Sequence, residues 1–207
     1  MIEQTAMYKL TYGLFVLAVK DGEKDNACIV NTVAMITDSP KRITVYVNKA
    51  NYTEEILRKT GEFTVSVLTE KAPFEVYKQF GFQSGRTVDK FAGASYPRAE
   101  NGLYYLPDVS NAVISGKVID ALDYGTHTLF VAEVTEARVL SDDKSATYEY
   151  YQTNVKQKPN AAQKPADGEP QKEKWVCKVC GYEHEGPLPE DFICPWCNHG
   201  ASDFERA

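Results

Sequence analysis

The chain predicts a mainly β protein with a few helices, built as one medium domain and one small metal domain. Three observations carry this. Segments rich in β-formers recur at short intervals through the first 140 residues, with room for only two helices among them. Residues 152–174 then change character: Gln, Lys, Pro and Ala dominate, aromatics vanish, and Val155 is the only large aliphatic residue. Beyond them, four of the five cysteines crowd into a 21-residue window at metal-ligand spacing. The 207 residues, 43% hydrophobic with a net charge of −6, suffice for such a pair of domains, 1–151 and 175–207, with a linker at 152–174.

Taken in order, Thr11 to Val19 reads as a strand. Asn26 to Thr37 and Arg42 to Asn48 read the same way, split by the turn Asp38-Ser39-Pro40. A helix follows, with Asn51 or Thr53 as its cap, Tyr52 and Ile56 on one face and Gly61 as its stop. Phe63 to Leu68 is another strand. Pro73 suits the first turn of a helix that runs to about Phe80. Two long β segments lie near 109–120 and 127–140. So many strands with so few helices predict a closed or split barrel, not alternating βαβ units. No Gly-x-Gly-x-x-Gly fingerprint of a dinucleotide fold is present.

Chemistry in this domain is faint by spacing alone. Polar residues interrupt strand ends at Asn31-Thr32 and Asn48-Lys49. Thr53 stands at a helix start, where a hydroxyl and free backbone N–H groups can hold a phosphate. Gly85-Arg86 and Lys90 add two cations near a turn. Each also has a plain structural use, as turn residue or solvated surface. Cys28 is most simply a small buried hydrophobe, and a thiol role is the alternative.

The last segment is more specific. Cys177-Lys178-Val179-Cys180 and Cys194-Pro195-Trp196-Cys197 are two Cys-x-x-Cys pairs separated by 13 residues. Such pairs aim four soft thiolates at one point, in a tetrahedral site that suits iron or zinc. Two disulfides would need a secreted protein, and nothing else here suggests secretion. The surroundings lean towards iron. Trp175, Tyr182, Leu188, Phe192 and Phe204 form an apolar wall that limits water at a redox centre. A zinc module for nucleic acid would need a basic surface. Residues 175–207 instead set Lys178 and Arg206 against Glu183, Glu185, Glu190, Asp191, Asp203 and Glu205, a net of −4. His184 and His199 read as surface residues. The linker, 23 residues long, would reach roughly 25 Å root-mean-square if flexible.

Trp175 to Phe204 resembles rubredoxin, in the short-loop form that also follows rubrerythrin-like proteins. It implies one iron held by Cys177, Cys180, Cys194 and Cys197, carrying one electron. The loop between the pairs is shorter than in free-standing rubredoxins, and Asn198 stands where that family has Gly. Tyr12 to Leu140 resembles the flavin reductase-like family, an FMN-binding split β-barrel. The resemblance lies in Asn26 to Val33, in Val47-Asn48-Lys49-x-Asn51-Tyr52-Thr53, in Gly61 to Leu68, and in Phe82 to Phe91. It implies that Asn31, Thr32 and Val33 face the flavin ring and ribityl chain. Asn48, Lys49 and Thr53 would take the ribityl and phosphate, with Ser84, Gly85, Arg86 and Lys90 nearby. Gly125-Thr126-His127 is similar to the family's Gly-Asp-His, which would put the catalytic His127 near the nicotinamide or flavin.

Together the resemblances imply an oxidoreductase that passes electrons from NAD(P)H through FMN to Fe(Cys)4, and on to an acceptor such as a flavodiiron oxygen or nitric oxide reductase. The barrels of that family complete the flavin pocket as homodimers. Two other classes stand beside this: an electron carrier reduced by another protein, and a zinc-stabilised binding module on an inactive barrel. The acidic balance argues against nucleic acid or an anionic membrane surface as partner. The start, Met1-Ile2-Glu3-Gln4, lacks a signal-peptide pattern, and no apolar run is long enough to span a bilayer. A cytoplasmic protein is expected, with its thiols reduced.

Overall fold

A computed structural model of the chain describes residue 6 and residues 9–156, 173–178, 182–194 and 200–206. The chain divides into two compact units, Met1–Gln152 and Thr153–Ala207.

Seven strands build the first unit: β1 (Phe15–Asp21), β2 (Lys24–Val30), β3 (Val33–Thr37), β4 (Arg42–Asn48), β5 (Glu62–Leu68), β6 (Ser110–Asp123) and β7 (His127–Val139). They pair antiparallel in the order β2-β1-β5-β6-β7-β4-β3. The two edges of this sheet, β2 and β3, are consecutive in the chain. Only Asn31 and Thr32 separate Val30 from Val33, a reach of about 10 Å at most. The sheet must therefore curl until its edges nearly meet, which is the split barrel.

The segment 26–37, expected as one strand, is thus two. The backbone leaves the ladder at Asn31-Thr32, where the chain crosses from one edge to the other. Thr32 O accepts from Tyr46 N at 3.2 Å, which ties the crossing to β4. The first strand begins at Phe15 rather than Thr11; Gly13 makes only an isolated bridge to Thr147.

The barrel is filled by Leu17, Val19, Val45, Val47, Phe63, Val65, Phe130 and their neighbours, all buried. β5 is buried on both faces. Phe63 and Val65 point into this core. Thr64 and Ser66 face the segment 99–106, where Thr64 Oγ1 donates to Asn101 Oδ1 at 2.9 Å and Leu106 N donates to Ser66 Oγ at 3.1 Å.

Helix α1 (Tyr52–Thr60) inserts Ile56 and Leu57 into the same core. Its acidic residues lie in the first turn and its basic ones in the last, which suits the helix dipole. Gly61, at φ +71°, stops it with an N–H bond to Leu57 O at 2.8 Å. Helix α2 (Phe74–Gly81) starts one residue after Pro73, which serves as its N-cap. A short helical stretch, Tyr148–Tyr150 and Tyr151–Val155, ends the described part of this region.

The second unit contains a three-stranded antiparallel sheet of β8 (Lys174–Cys177), β9 (Glu183–Glu185) and β10 (Phe204–Arg206), in the order β10-β8-β9. No helix among the described residues is long and apolar enough to cross a membrane.

Candidate flavin and metal sites

Strand β4 delivers the first polar group of the site. At its end Asn48 stands opposite His127 in the β4–β7 register. Asn48 Oδ1 accepts from Ala50 N at 2.9 Å, and its carbonyl accepts from Asn51 N at 2.9 Å, so the chain turns at once into α1. Asn51, at the N-cap of α1, makes no side-chain cap bond. N–H groups at a helix start that lack a side-chain acceptor, with a positive helix end, favour an anion.

Cations flank this turn. Lys49 N donates to Thr126 O at 3.0 Å, and its ammonium is paired with Asp123. Arg86 pairs with Glu55, one Nη1–Oε2 bond measuring 3.0 Å, and its guanidinium lies 4.9 Å from the centre of the Tyr52 ring. Lys24 approaches the same ring at 5.4 Å, and its ammonium donates to Gly85 O at 2.6 Å. The bond from Lys49 holds the Asp123 carboxyl below its ordinary range, and the bond from Arg86 does the same for Glu55.

Gly85 is required by close approach. A Cβ there would lie 1.9 Å from Asn26 Oδ1. Asn26 is buried, and its Nδ2 donates to Thr53 Oγ1 at 2.9 Å. The amide of Asn26 on β2 thus bonds to the start of α1, while its Oδ1 lies against Gly85 of the 84–86 loop in close contact without a hydrogen bond. Ser84 Oγ accepts from Arg86 N at 3.3 Å, within the same loop. Asn31, Thr32 and Val33 are half-buried, and the Thr32 hydroxyl donates at 3.3 Å to the carbonyl of Tyr46, two residues before Asn48 on β4.

Two residues expected to touch the phosphate are placed elsewhere. The Thr53 side chain is 1% exposed and its hydroxyl faces Asn26 inside the fold, so it braces α1 from within. Lys90 is 5% exposed, and its Nζ donates to Ala27 O at 2.7 Å and to Phe80 O at 3.0 Å. Burial pushes its pKa down. This ammonium pins the 80–91 loop to β2 and is not a surface cation. Cys28 is buried, as its reading as a small hydrophobe requires, and burial pushes its thiol pKa up.

His127 is exposed at the start of β7, with Nδ1 2.9 Å from Thr126 Oγ1. The Thr126 hydroxyl is thus placed to orient the ring. Beside it lies a group not expected from the sequence. The buried Glu54 carboxylate accepts from Arg58 Nη2 at 2.7 Å and from Thr128 Oγ1 at 2.5 Å, tying α1 to the residue after His127. Asp123 was missed as well; the signal was its place in the turn Asp123-Tyr124-Gly125-Thr126, opposite a lysine it could not be seen to face. A separate shallow cleft of about 250 Å³, lined by Glu62, Glu100, Asn101, Gly116, Lys117 and Thr135, shares no residue with this set.

In the second unit Cys177 ends β8 and Cys194 follows Ile193; both are buried. Cys177 N donates to Tyr182 O at 2.8 Å. Phe192 packs edge-on against Phe204 at 5.3 Å, and Tyr182 lies 6.5 Å from each of them. His184, expected at the surface, is half-buried with its ring 4.5 Å from Phe192. Cys180, Cys197 and His199 lie outside the described residues. Two buried thiols in an aromatic shell, with two more placed by spacing, suit an iron with four sulfur ligands. The uncapped, cation-flanked start of α1 fits the phosphate of a flavin.

The family described as flavin reductase like domain matches residues 7–159, and the rubredoxin-like domain of rubrerythrin matches residues 175–205. The chain is 35% identical to a high molecular weight rubredoxin of Moorella thermoacetica, over 99% of this chain and 100% of that one. It is 38% identical to a ferric-chelate reductase (NAD(P)H) of Archaeoglobus fulgidus, over 70% of this chain and 86% of that one. Among solved structures, the first unit is similar in fold to BorF, the flavin reductase component of a bacterial two-component tryptophan halogenase. The TM-score is 0.62 at 20% identity, covering 70% of this chain and 93% of that one.

Proposed function

Because this chain belongs to the flavin reductase like family and carries a rubredoxin-like domain behind it, we propose that it is an NAD(P)H-dependent oxidoreductase that moves electrons through FMN to a four-cysteine iron, and on to a separate redox protein. The observation that carries this is the presence of both domain types in one chain, matched end to end by a high molecular weight rubredoxin. A flavodiiron oxygen or nitric oxide reductase is the acceptor we favour.

When bound, the flavin accepts electrons in pairs and releases them singly, and the iron carries one at a time. The chain's own residues hold and orient. In this proposal the first N–H groups of α1, Lys49 and Arg86 hold the phosphate. Asn48 and the crossing Asn31-Thr32-Val33 line the ribityl chain and ring. His127 has its Nδ1 engaged by Thr126, which leaves Nε2 to exchange a proton or hydrogen bond with the nicotinamide or flavin. Cys177, Cys180, Cys194 and Cys197 ligate the iron, and Tyr182, Phe192 and Phe204 limit water around it.

We further propose a homodimer. Tyr46, Leu129 and Leu122 stand in one cross-strand row on β4, β7 and β6. Tyr46 and Leu122 in this row are 39% and 42% exposed. A second copy is the occupant that would cover this face and complete the flavin pocket; Leu122→Asp should then yield monomers in light scattering.

The test of the electron path is an anaerobic spectrum of the purified full chain before and after NADH or NADPH. Bleaching of the flavin followed by loss of the ferric thiolate bands is expected. A flavin that stays oxidised with both nucleotides would point to a carrier reduced by another protein. Stoichiometric zinc, in protein made with ample iron, would point to a structural module instead.

A further inference from the structure

Two of the three cations that flank the start of α1 are each held by a carboxylate, while Lys24 bonds instead to Gly85 O. Lys49 is paired with Asp123, and Arg86 with Glu55. These two carboxylates come from different elements, the last residue of β6 and the first turn of α1. The fold itself needs little from their charge. Asp123 Oδ1 closes its turn by accepting from Gly125 N at 2.8 Å, a bond that an amide oxygen makes equally well. Glu55 stands on the exposed side of α1, between the buried Glu54 and Ile56.

We propose that Asp123 and Glu55 are counter-ions which occupy the site's cations before a flavin arrives, and which a phosphate must displace, so that they set both the affinity and the charge preference of the site. This rests on the assignment of Lys49 and Arg86 to the phosphate. A phosphomonoester carries about −1.5 to −2 at pH 7, and displaces a single carboxylate by charge. A phosphodiester carries only one charge and riboflavin none, so neither competes as well. The displaced carboxylates remain nearby and repel the phosphate that replaced them. Removing one carboxylate charge therefore relieves both competition and repulsion. An exposed ion pair is worth a factor of roughly one to five, and the relieved repulsion adds to it. The gain expected for one substitution is about three- to tenfold at low salt.

The test is flavin titration, followed by fluorescence quenching, of the full-length chain stripped of flavin. FMN and riboflavin are compared in the wild type, Asp123→Asn, Glu55→Gln and Lys49→Ala. Asp123→Asn keeps the bond from Gly125 and so keeps the turn. The two carboxylate variants should bind FMN about three- to tenfold more tightly, with riboflavin unchanged, and the gain should shrink as salt shortens the screening length to about 3 Å at 1 M. Wild-type FMN affinity in Lys49→Ala would remove the phosphate assignment itself. If Lys49→Ala weakens FMN while Asp123→Asn and Glu55→Gln do not tighten it, the assignment stands and the counter-ion inference is wrong. Equal tightening of riboflavin would show that the carboxylates act by bulk and not by charge.

Discussion

Gly85→Ala should damage this protein far more than its size suggests. The new Cβ would lie 1.9 Å from Asn26 Oδ1 and 2.7 Å from Asn26 Cγ. Asn26 cannot step aside: it is 1% exposed, and its amide holds Thr53 Oγ1 at 2.9 Å. Either the 84–86 loop lifts from β2, or the amide rotates away and its bond to Thr53 is lost. Overpacking costs about 1–3 kcal/mol. An orphaned buried polar group costs about 1–3 kcal/mol. The two costs partly replace one another, so about 2–4 kcal/mol is expected for the first unit. For a unit of that length, Met1–Gln152, this lowers Tm by roughly 5–15 °C. The assay is thermal melting of the full chain by far-UV circular dichroism, with the iron absorbance recorded in parallel. A double-mutant cycle sharpens it: in an Asn26→Ala background the obstructing amide is absent, so adding Gly85→Ala should cost much less than it does alone. Additive losses in the cycle, or a single mutant that melts with the wild type, would refute the contact as the reason for glycine at this position.

Other outcomes follow from the same geometry. Thr53→Val should lower stability by about 1–2 kcal/mol, because it leaves the buried Asn26 amide without an acceptor; it should weaken FMN less than Lys49→Ala does, as read by fluorescence titration. Cys177→Ser or Cys194→Ser should abolish the ferric colour while the melting of the first unit stays as in the wild type. Glu136 supplies a pH test. Burial opposes its charge, but bonds from Glu100 N, Arg138 and Ser115 outweigh that and hold its carboxyl below 4.5. A depressed folded value means stability that is present above pH 4.5 and is lost as pH falls through the folded pKa. Glu136→Gln should therefore be less stable at neutral pH, and the gap from wild type should narrow in acid denaturation profiles. A constant gap at every pH would mean that the carboxylate charge contributes nothing.

The periodic and local features were legible in the sequence. Runs such as Arg42–Asn48 and Phe63–Leu68 are strands because β-branched and aromatic residues pack well on a pleated surface, whatever lies opposite. Gly61 stopped its helix because only glycine takes φ +71° freely. The two Cys-x-x-Cys pairs point to a rubredoxin-like domain, and the family match over residues 175–205 agrees, because ligand spacing is itself local. What pairing and packing decide was not legible. The break at Asn31-Thr32 exists because the barrel's first and last edges meet there, and local propensity carries no record of a closure seven strands wide. Thr53 and Lys90 bear polar groups that suit a phosphate equally well on paper. Which way each points depends on Asn26 and on the carbonyls of Ala27 and Phe80, partners 27, 63 and 10 residues away in the chain. Asp123 and Lys49 stand 74 residues apart and meet only because β4 and β6 flank β7. Charge and hydrogen-bonding capacity belong to the residue, but the partner that uses them is chosen by the folded chain, since a burial cost or an ion pair exists only once both groups share one small space.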